Sequence, residues 1–542
     1  MRTTSFKSRA FALVSTTALL ATLVVAAPAN AAATGPTCDG KTPVQTCTGT
    51  TSDGAAYKMA VPATFNGTVT IWSHGFGGNT TIPGYFAVDS SAQLAPNGPG
   101  QNGGSPDLVK YLNDKGVAVI GSGFSTQGWN LDEAVKTNAE LVGIFKAKFT
   151  TTTKVVAWGY SMGGGITQAF AEKYPELISS AAVMNPVDSW GSQSKYFFDL
   201  LWLMKTWFDP TIKLTGYAAG TAGDMQMLQD LGKYTAILKA LQAGVATGAW
   251  PTTSSKSALA LQAGGIPSRS ALLMIGRLAG ISAQSTSFDG LVGPAGAAAT
   301  AWPLAYAPAL ATLENIAGVL GYSLLGARDM EAKMGGVWGD NQKTDYSKQL
   351  SDEDRTVYNA GLSGNGAITA MLSTLNPLNP DAPRVKADAA AAAKNALMYQ
   401  STGKIKVPTV MMIGEHDPVE PAGIVQRISD LYEADFAAAK TVARKAGKAA
   451  PARNLQVLWS VTPKTWSKFN ADGTPVTLTG TPGTGHTNFT MAQYKLVIDT
   501  ALSAADNGYL PWSGAHLSKV YKAKGLKIDR TTAYPWMKYY NN

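Results

Sequence analysis

Ser161, in the string Gly159-Tyr160-Ser161-Met162-Gly163, is placed by its neighbours to act as a nucleophile. A serine hydroxyl is a poor nucleophile at neutral pH, so a base must stand within hydrogen-bond reach and a carboxylate must hold that base. The chain has four histidines, which narrows the choice: His74 in SHGFGG, His416 in IGEHDPVEP, His486 in GTGHTNFT, and His516 near the end. His486 follows the last strand-like run in a glycine-flanked loop, where an imidazole can reach across a sheet edge, and it is the expected base. Asp417 directly follows the apolar run TVMMIG and is the expected carboxylate; Glu415 and Glu420 are its neighbours, and Asp188, after SAAVMNPV, is its rival. Such a set performs acyl transfer, in which serine attacks a carbonyl, imidazole moves the proton and amides stabilise the oxyanion.

The five-residue pattern alone decides little in a chain with 56 glycines, and similar strings surround Ser323 (GYSLLG) and Ser363 (GLSGNG). Context separates GYSMG from them. The run KVVAWG before it reads as a strand and GITQAFAEKY after it is helix-compatible. A sharp strand-to-helix turn lifts the hydroxyl above a sheet, near the positive end of a helix, and offers the Met162 amide to a developing oxyanion. Structural roles compete for each residue: Ser161 as a turn serine, His486 as a solvated loop residue, and Asp417 as a cap before PVEPAGIVQRI. His74 and His416 read as structural, His74 holding its loop by hydrogen bonds.

The elements that must position these residues follow a strand–helix rhythm. AYKMAV, TVTIWS, GVAVIGS, KVVAWG and SAAVMNP are expected strands, and NLDEAVKTNAELVGIFKAKF is an expected crossover helix. The rhythm stops at Pro186 and resumes at VPTVMMIGEHD and NLQVLWSV, as in a mostly parallel sheet covered by helices. Residues 188–402, rich in Ala, Leu, Gly and Met at helical spacing, read as a helical insertion. It opens with Trp190, Tyr196, Phe197, Phe198, Trp202, Trp207 and Phe208, which either line an apolar pocket or, the stronger reading, pack as core. AAATAWPLAYAPALATL is too interrupted by Pro for a membrane span, and TWSKFNADGTPVTLTG reads as a hairpin turning at Asp472-Gly473. The basic, aromatic C-terminal stretch reads as a tail packed on the main domain, with contact to cell-wall polymer as the alternative.

With 542 residues, 45% hydrophobic and 15% charged, the chain is globular. Arg2, Lys7 and Arg9 precede the apolar run ALVSTTALLATLVVAA, which ends at Ala29-Asn30-Ala31. Residues 1–31 are therefore expected to be a cleaved signal peptide, and the mature protein to be secreted with no stable membrane span; a retained anchor is the alternative, disfavoured because the run is short, broken by Ser and Thr, and meets a small-residue cleavage site. Setting aside those three cations lowers the formal charge from +9 to +6, because residues 1–31 contain no acidic residue, and this mild excess argues against nucleic acid as a partner. Cys38 and Cys47 are expected to form a disulfide in an oxidising compartment, since two cysteines without a nearby histidine supply too few metal ligands. No metal or other cofactor is expected, and oligomeric state is not encoded in any motif.

SHGFGG, GYSMGG, GEHDPV and GTGH, in that order, resemble an α/β-hydrolase, over about residues 55–187 and 403–505. The resemblance implies an α/β fold with a mostly parallel sheet flanked by helices, the core being 32–187 and 403–542 and the cap 188–402. It implies Ser161 as nucleophile, His486 as general base and Asp417 as orienting carboxylate, with the amides of Met162 and Phe76, or Gly75 in its place, forming the oxyanion hole. Two departures stand out, an unusually long cap and a hairpin between Asp417 and His486. The expected activity is hydrolysis of a small-molecule or polymeric carboxylic ester with a hydrophobic acyl or alcohol group, the cap being apolar and rich in Met and aromatic residues. An exported aminopeptidase-like enzyme is the alternative; it needs a cap carboxylate for the substrate's amino group, with Asp199, Asp224, Glu314 and Glu331 as candidates. An acyltransferase and a non-catalytic surface-binding protein are further alternatives, the last disfavoured because all three triad residues are kept.

Overall fold

Successive residues of the central strands face opposite ways, and both sets are apolar. Val155 and Ala157 enter one core while Val156 and Trp158 enter another; Met411 and Ile413 likewise oppose Val410 and Met412. A strand buried on both faces needs helices on both sides, which is why these runs read as continuous rather than alternating. The computed structural model describes residues 33–40, 42–79, 88–96, 105–290, 293, 305–478, 480–511 and 515–528. The signal peptide expected over 1–31 lies outside the described residues.

The strands are β1 (Thr34–Cys38), β2 (Val44–Thr50), β3 (Ala56–Pro62), β4 (Thr68–Ser73), β5 (Ala118–Ser122), β6 (Lys154–Tyr160), β7 (Ser180–Met184), β8 (Thr409–Gly414), β9 (Leu455–Ser460), β10 (Lys468–Phe469), β11 (Pro475–Val476) and β12 (Leu526–Ile528). Ten of them form one sheet in the order β1-β2-β3-β5-β4-β6-β7-β8-β9-β12. The run β5-β4-β6-β7-β8-β9 is parallel, and the flanking pairs are antiparallel. All the strands expected from the sequence are present. Those not expected, β1, β2 and β12, lie at or next to the edges of the sheet and carry no apolar run. Cys38 pairs with Cys47 across β1 and β2, and the two are joined as a disulfide. The expected hairpin is β10–β11, whose turn carries Gly473 at φ 80°.

The helices are α1 (Pro106–Asp114), α2 (Leu131–Lys148), α3 (Met162–Lys173), α4 (Trp190–Phe208), α5 (Gly220–Gly244), α6 (Lys256–Ala263), α7 (Ser268–Ala279), α8 (Tyr306–Met334), α9 (Asp352–Val357), α10 (Gly364–Thr374), α11 (Ala389–Ala396), α12 (Ala422–Lys445), α13 (Met491–Asn507) and α14 (Ala515–Lys522). Residues of α2, α3 and α12 share one core with the sheet, and those of α1 and α13 share the other. Helices α4 to α11 all fall between β7 and β8, neighbours in the sheet. Their apolar side chains join the α2–α3 core without a break, from Phe145 through Trp202 to Met371. Helix α8 is long and apolar enough to cross a membrane by length and composition, but 67% of its most apolar window is buried inside the fold. The described part of the tail, up to Ile528, is packed, with Tyr521 and Leu526 buried and β12 paired to β9; residues 529–542 lie outside the described residues.

Candidate active site

Between β6, ending at Tyr160, and α3, beginning at Met162, a single residue turns the chain. That residue is Ser161, held at φ 58° and ψ −132°, a conformation in which a non-glycine residue is strained. The flanking glycines are required by contact. A Cβ on Gly163 would stand 2.1 Å from the Ser73 carbonyl oxygen, and one on Gly159 2.2 Å from the Gly163 carbonyl oxygen. Neither neighbour can give way, because both are backbone.

His486 reaches this turn from the loop before α13. Its Nε2 lies 3.0 Å from Ser161 Oγ, and its Nδ1 lies 3.1 Å and 3.2 Å from the two Asp417 carboxylate oxygens. Asp417 stands three residues beyond β8 and is fixed from several sides. It accepts from the backbone N–H groups of Val419 at 2.8 Å, Glu420 at 3.1 Å and Thr487 at 2.8 Å, and from the Asn185 side-chain amide. A neutral imidazole that donates from Nδ1 to this carboxylate presents Nε2 as an acceptor to the serine hydroxyl. Asn185 and Thr487 share the positive φ of Ser161, at 37° and 50°. Three strained residues around one imidazole mark a place where surrounding packing holds the backbone, at about 1–3 kcal/mol each.

A family model described as the alpha/beta hydrolase fold matches residues 116–216, the span that holds β5, the serine turn and α4. The chain has the α/β-hydrolase fold. Several solved structures are similar to this hydrolase fold. Feruloyl esterase B from Aspergillus oryzae is 12% identical, with 86% of this chain and 81% of that chain covered and a TM-score of 0.35. Tannin acyl hydrolase from Aspergillus niger is 10% identical, with 88% and 82% covered and a TM-score of 0.35. An esterase from Aspergillus oryzae is 12% identical, with 77% and 72% covered and a TM-score of 0.30. The sequence matches none of the curated proteins it was compared with.

In this hydrolase fold the amide after Ser161 belongs to Met162, the first residue of α3, whose N–H has no acceptor within the helix. The loop of Gly75 and Phe76 lies against Ser161, for a Cβ on Gly75 would come within 3.5 Å of Ser161 Cβ. His74 steadies that loop. Its Nδ1 lies 2.8 Å from the Gly75 carbonyl, which can only accept, so that nitrogen carries the proton, and burial holds the ring below the ordinary histidine range.

The four acid–base residues of GEHDPVEP go to four destinations. Glu415 accepts from the Thr462 N–H and hydroxyl, both at 2.9 Å, and Asp417 holds His486. His416 turns away, its Nδ1 2.8 Å from Ser282 Oγ, and burial pushes its imidazole down to about 4. Glu420, 2% exposed, points into the site. Its Oε1 lies 3.2 Å from Ser161 Oγ, an acceptor that competes with His486 Nε2 for the single hydroxyl proton, and its Oε2 comes within 2.9 Å of His486 Nδ1. Burial raises the Glu420 carboxyl, against the attraction of His486. Burial pulls the His486 imidazole down, but the Glu420 and Asp417 carboxylates outweigh it and hold the ring well above the ordinary range. Asp188, the rival acid, is fully buried and belongs elsewhere, paired with Arg427 and accepting from Ser189 and Ser192.

His416 carries a stability prediction. The unfolded chain takes a proton near pH 6.5, whereas the folded chain refuses it until about pH 4, so stability is lost as pH falls through that window. The loss at the acid end is about 3 kcal/mol for a shift of this size. Thermal unfolding of His416→Asn between pH 7 and 4 should show a smaller fall in Tm than the parent; an identical fall would contradict the assignment.

A cavity of about 990 Å³ opens above Ser161. Phe76, Tyr160, Phe489 and Tyr494 supply aromatic surface, and Gln93, Gln127 and Asn488 supply amides. The cap contributes Thr286, Glu314 and Tyr322, the last with its ring 5.4 Å from the His486 ring. The segment after β11 contributes Thr477, Leu478 and Gly480. The seven aromatic residues that open the cap are absent from this lining and lie in the core, each at most 5% exposed. Of the four cap carboxylates considered from the sequence, Glu314 alone lines the cavity among the described residues. Asp199 pairs with Lys195, Asp224 with Arg328, and Glu331 accepts from the Gly216 and Tyr217 amides.

Two site residues, Asn185 and Glu420, were not singled out for a role by sequence reasoning. Asn185 had a signal, being the polar residue that ends an otherwise apolar parallel strand at the edge where ligands bind. Glu420 had only its proximity to Asp417.

Proposed function

We propose that this protein is a serine hydrolase that cleaves carboxylic esters, with Ser161 as nucleophile, His486 as base and then acid, and Asp417 as orienting carboxylate. The observation that carries the proposal is the continuous line from Ser161 Oγ to His486 Nε2 at 3.0 Å and from His486 Nδ1 to Asp417 at 3.1 Å. Ser161 Oγ bonds to the ester carbonyl carbon, its proton passes to Nε2, and the carbonyl pair moves onto oxygen opposite the amides of Met162 and Phe76. Collapse expels the alcohol, which takes the proton from Nε2. Water then repeats the sequence on the acyl-enzyme, and the acid leaves.

Among the described lining residues there is no Lys or Arg, while Asp89 and Glu314 are carboxylates. An ester without negative charge, carrying aromatic and hydroxyl groups, fits that surface of aromatic rings and amides better than a purely aliphatic one. We take the mature chain to be exported, a reading that the leader-like residues 1–31 and the Cys38–Cys47 disulfide support.

Glu314, which lines the cavity while accepting from the Ser285 hydroxyl and from the Ser287 N–H and hydroxyl, supports a second reading, an exported peptidase that holds a substrate's amino group there. A fluorophosphonate is expected to label folded protein at Ser161, and p-nitrophenyl esters are expected to turn over far faster than aminoacyl-anilides. Faster anilide turnover would replace the ester reading with the peptidase one. Absence of labelling would remove serine catalysis altogether and leave a binding protein.

A further inference from the structure

Resting on the serine-hydrolase reading, we infer that Glu420 is a second carboxylate of the same acid–base unit, so that two acids and one imidazole, not a linear triad, hold the proton released by Ser161. Glu420 touches the reacting oxygen itself, its Oε1 lying 3.2 Å from Ser161 Oγ. Its other oxygen lies 2.9 Å from His486 Nδ1, closer than either oxygen of Asp417 at 3.1 Å and 3.2 Å.

The two carboxylates differ in how they are solvated. Asp417 accepts from three backbone N–H groups and from Asn185 in addition to His486. Glu420 Oε2 is buried with no partner in hydrogen-bonding geometry. A buried charge with so few donors is costly, so Glu420 is the member of the pair on which a proton is most readily stored. The titratable groups that face it are His486, Asp417 and, from α4, the phenol of Tyr196. Helix α4 also fixes its position, because Tyr196 donates to the Pro418 carbonyl and Gln193 to the Val419 carbonyl.

When Ser161 attacks, its proton moves to Nε2 while Asp417 accepts from Nδ1 and holds the tautomer; Glu420, with Oε2 2.9 Å from the same nitrogen, adds a second charge that favours the imidazolium. Losing one acid should therefore cost less than losing the pair. Kinetics of the parent, Asp417→Asn, Glu420→Gln and the double variant on a p-nitrophenyl ester, with folding checked by thermal unfolding, test this. Glu420→Gln removes a charge that favours the imidazolium, so the acid limb of kcat/KM should move to lower pH by about one unit. In the Asp417→Asn background the same change should cost at least about tenfold more than in the parent, as expected when either acid can serve once the other is lost. An equal factor in both backgrounds overturns the inference. Should a variant fail to fold, the pH dependence of fluorophosphonate labelling of the parent decides: two coupled ionisations support the inference, and one step near pH 6.5 overturns it. Ser161→Ala separates the two levels. If that variant is inactive while Asp417 and Glu420 are uncoupled, only the cluster is lost; if it is active, the hydrolase reading goes with it.

Discussion

Ser161→Ala should lower kcat by about 10⁶, because a triad acts as a unit and its nucleophile has no substitute. The backbone at φ 58° is held by α3 and β7, the Ser161 N–H donating to the Met184 carbonyl at 3.0 Å, so the turn should persist in the variant. KM should therefore change much less than kcat. Fluorophosphonate labelling should vanish with activity, and His486→Ala should reach a loss of similar size. Some rate above the uncatalysed reaction should survive, since amides aimed at the oxyanion and the cavity itself remain. A loss smaller than about tenfold would mean that Ser161 is a turn residue and that the chemistry lies elsewhere.

A second large effect is expected on the fold. Gly163→Ala would drive a Cβ to 2.1 Å from the Ser73 carbonyl oxygen and 2.5 Å from that of His74. Ser73 ends β4, which lies between β5 and β6 with Trp72 packed on Trp158 at 4.9 Å between ring centroids. The strand has nowhere to recede. A destabilisation of about 3 kcal/mol or more is expected, of the kind overpacking produces in a closed core. Gly143→Ala is the control. Gly143 is an exposed residue inside α2 with nothing within 4 Å of the added carbon, and the change should stabilise by about 0.5–1 kcal/mol. Thermal unfolding of the two variants side by side tests the contrast, and a Gly163→Ala protein as stable as its parent would mean that the turn is looser than it stands here.

The β6–Ser161–α3 turn and the β8–Asp417 step were legible in the sequence because each is local. A doubly buried strand reads as a continuous apolar run, and a residue at its C-terminal end falls where parallel sheets expose side chains. Asp417 and Asp188 could not be separated on that basis, since both follow such runs. Arg427, 239 positions from Asp188 along the chain, separates them by neutralising Asp188. Asn185 and Glu420 were hidden for the same reason, their partners being brought together by tertiary packing alone. The aromatic run at the start of the cap was legible as packing, and its Trp190, Trp202 and Trp207 are buried in the shared core. The polar and aromatic lining of the cavity was not legible, because it is collected from segments with no common pattern, from Phe76 to Tyr494.

Helix α4 both opens the cap and grips the turn that carries Pro418, Val419 and Glu420. The cap is thus a foundation as well as a roof. Its exchange for another lid, a natural way to alter what such a scaffold accepts, would strip the acid turn of its support and silence the chemistry. Substitutions that alter what this protein accepts are therefore expected to be tolerated at the rim, around Thr286, Glu314, Tyr322 and Thr477, and not along α4.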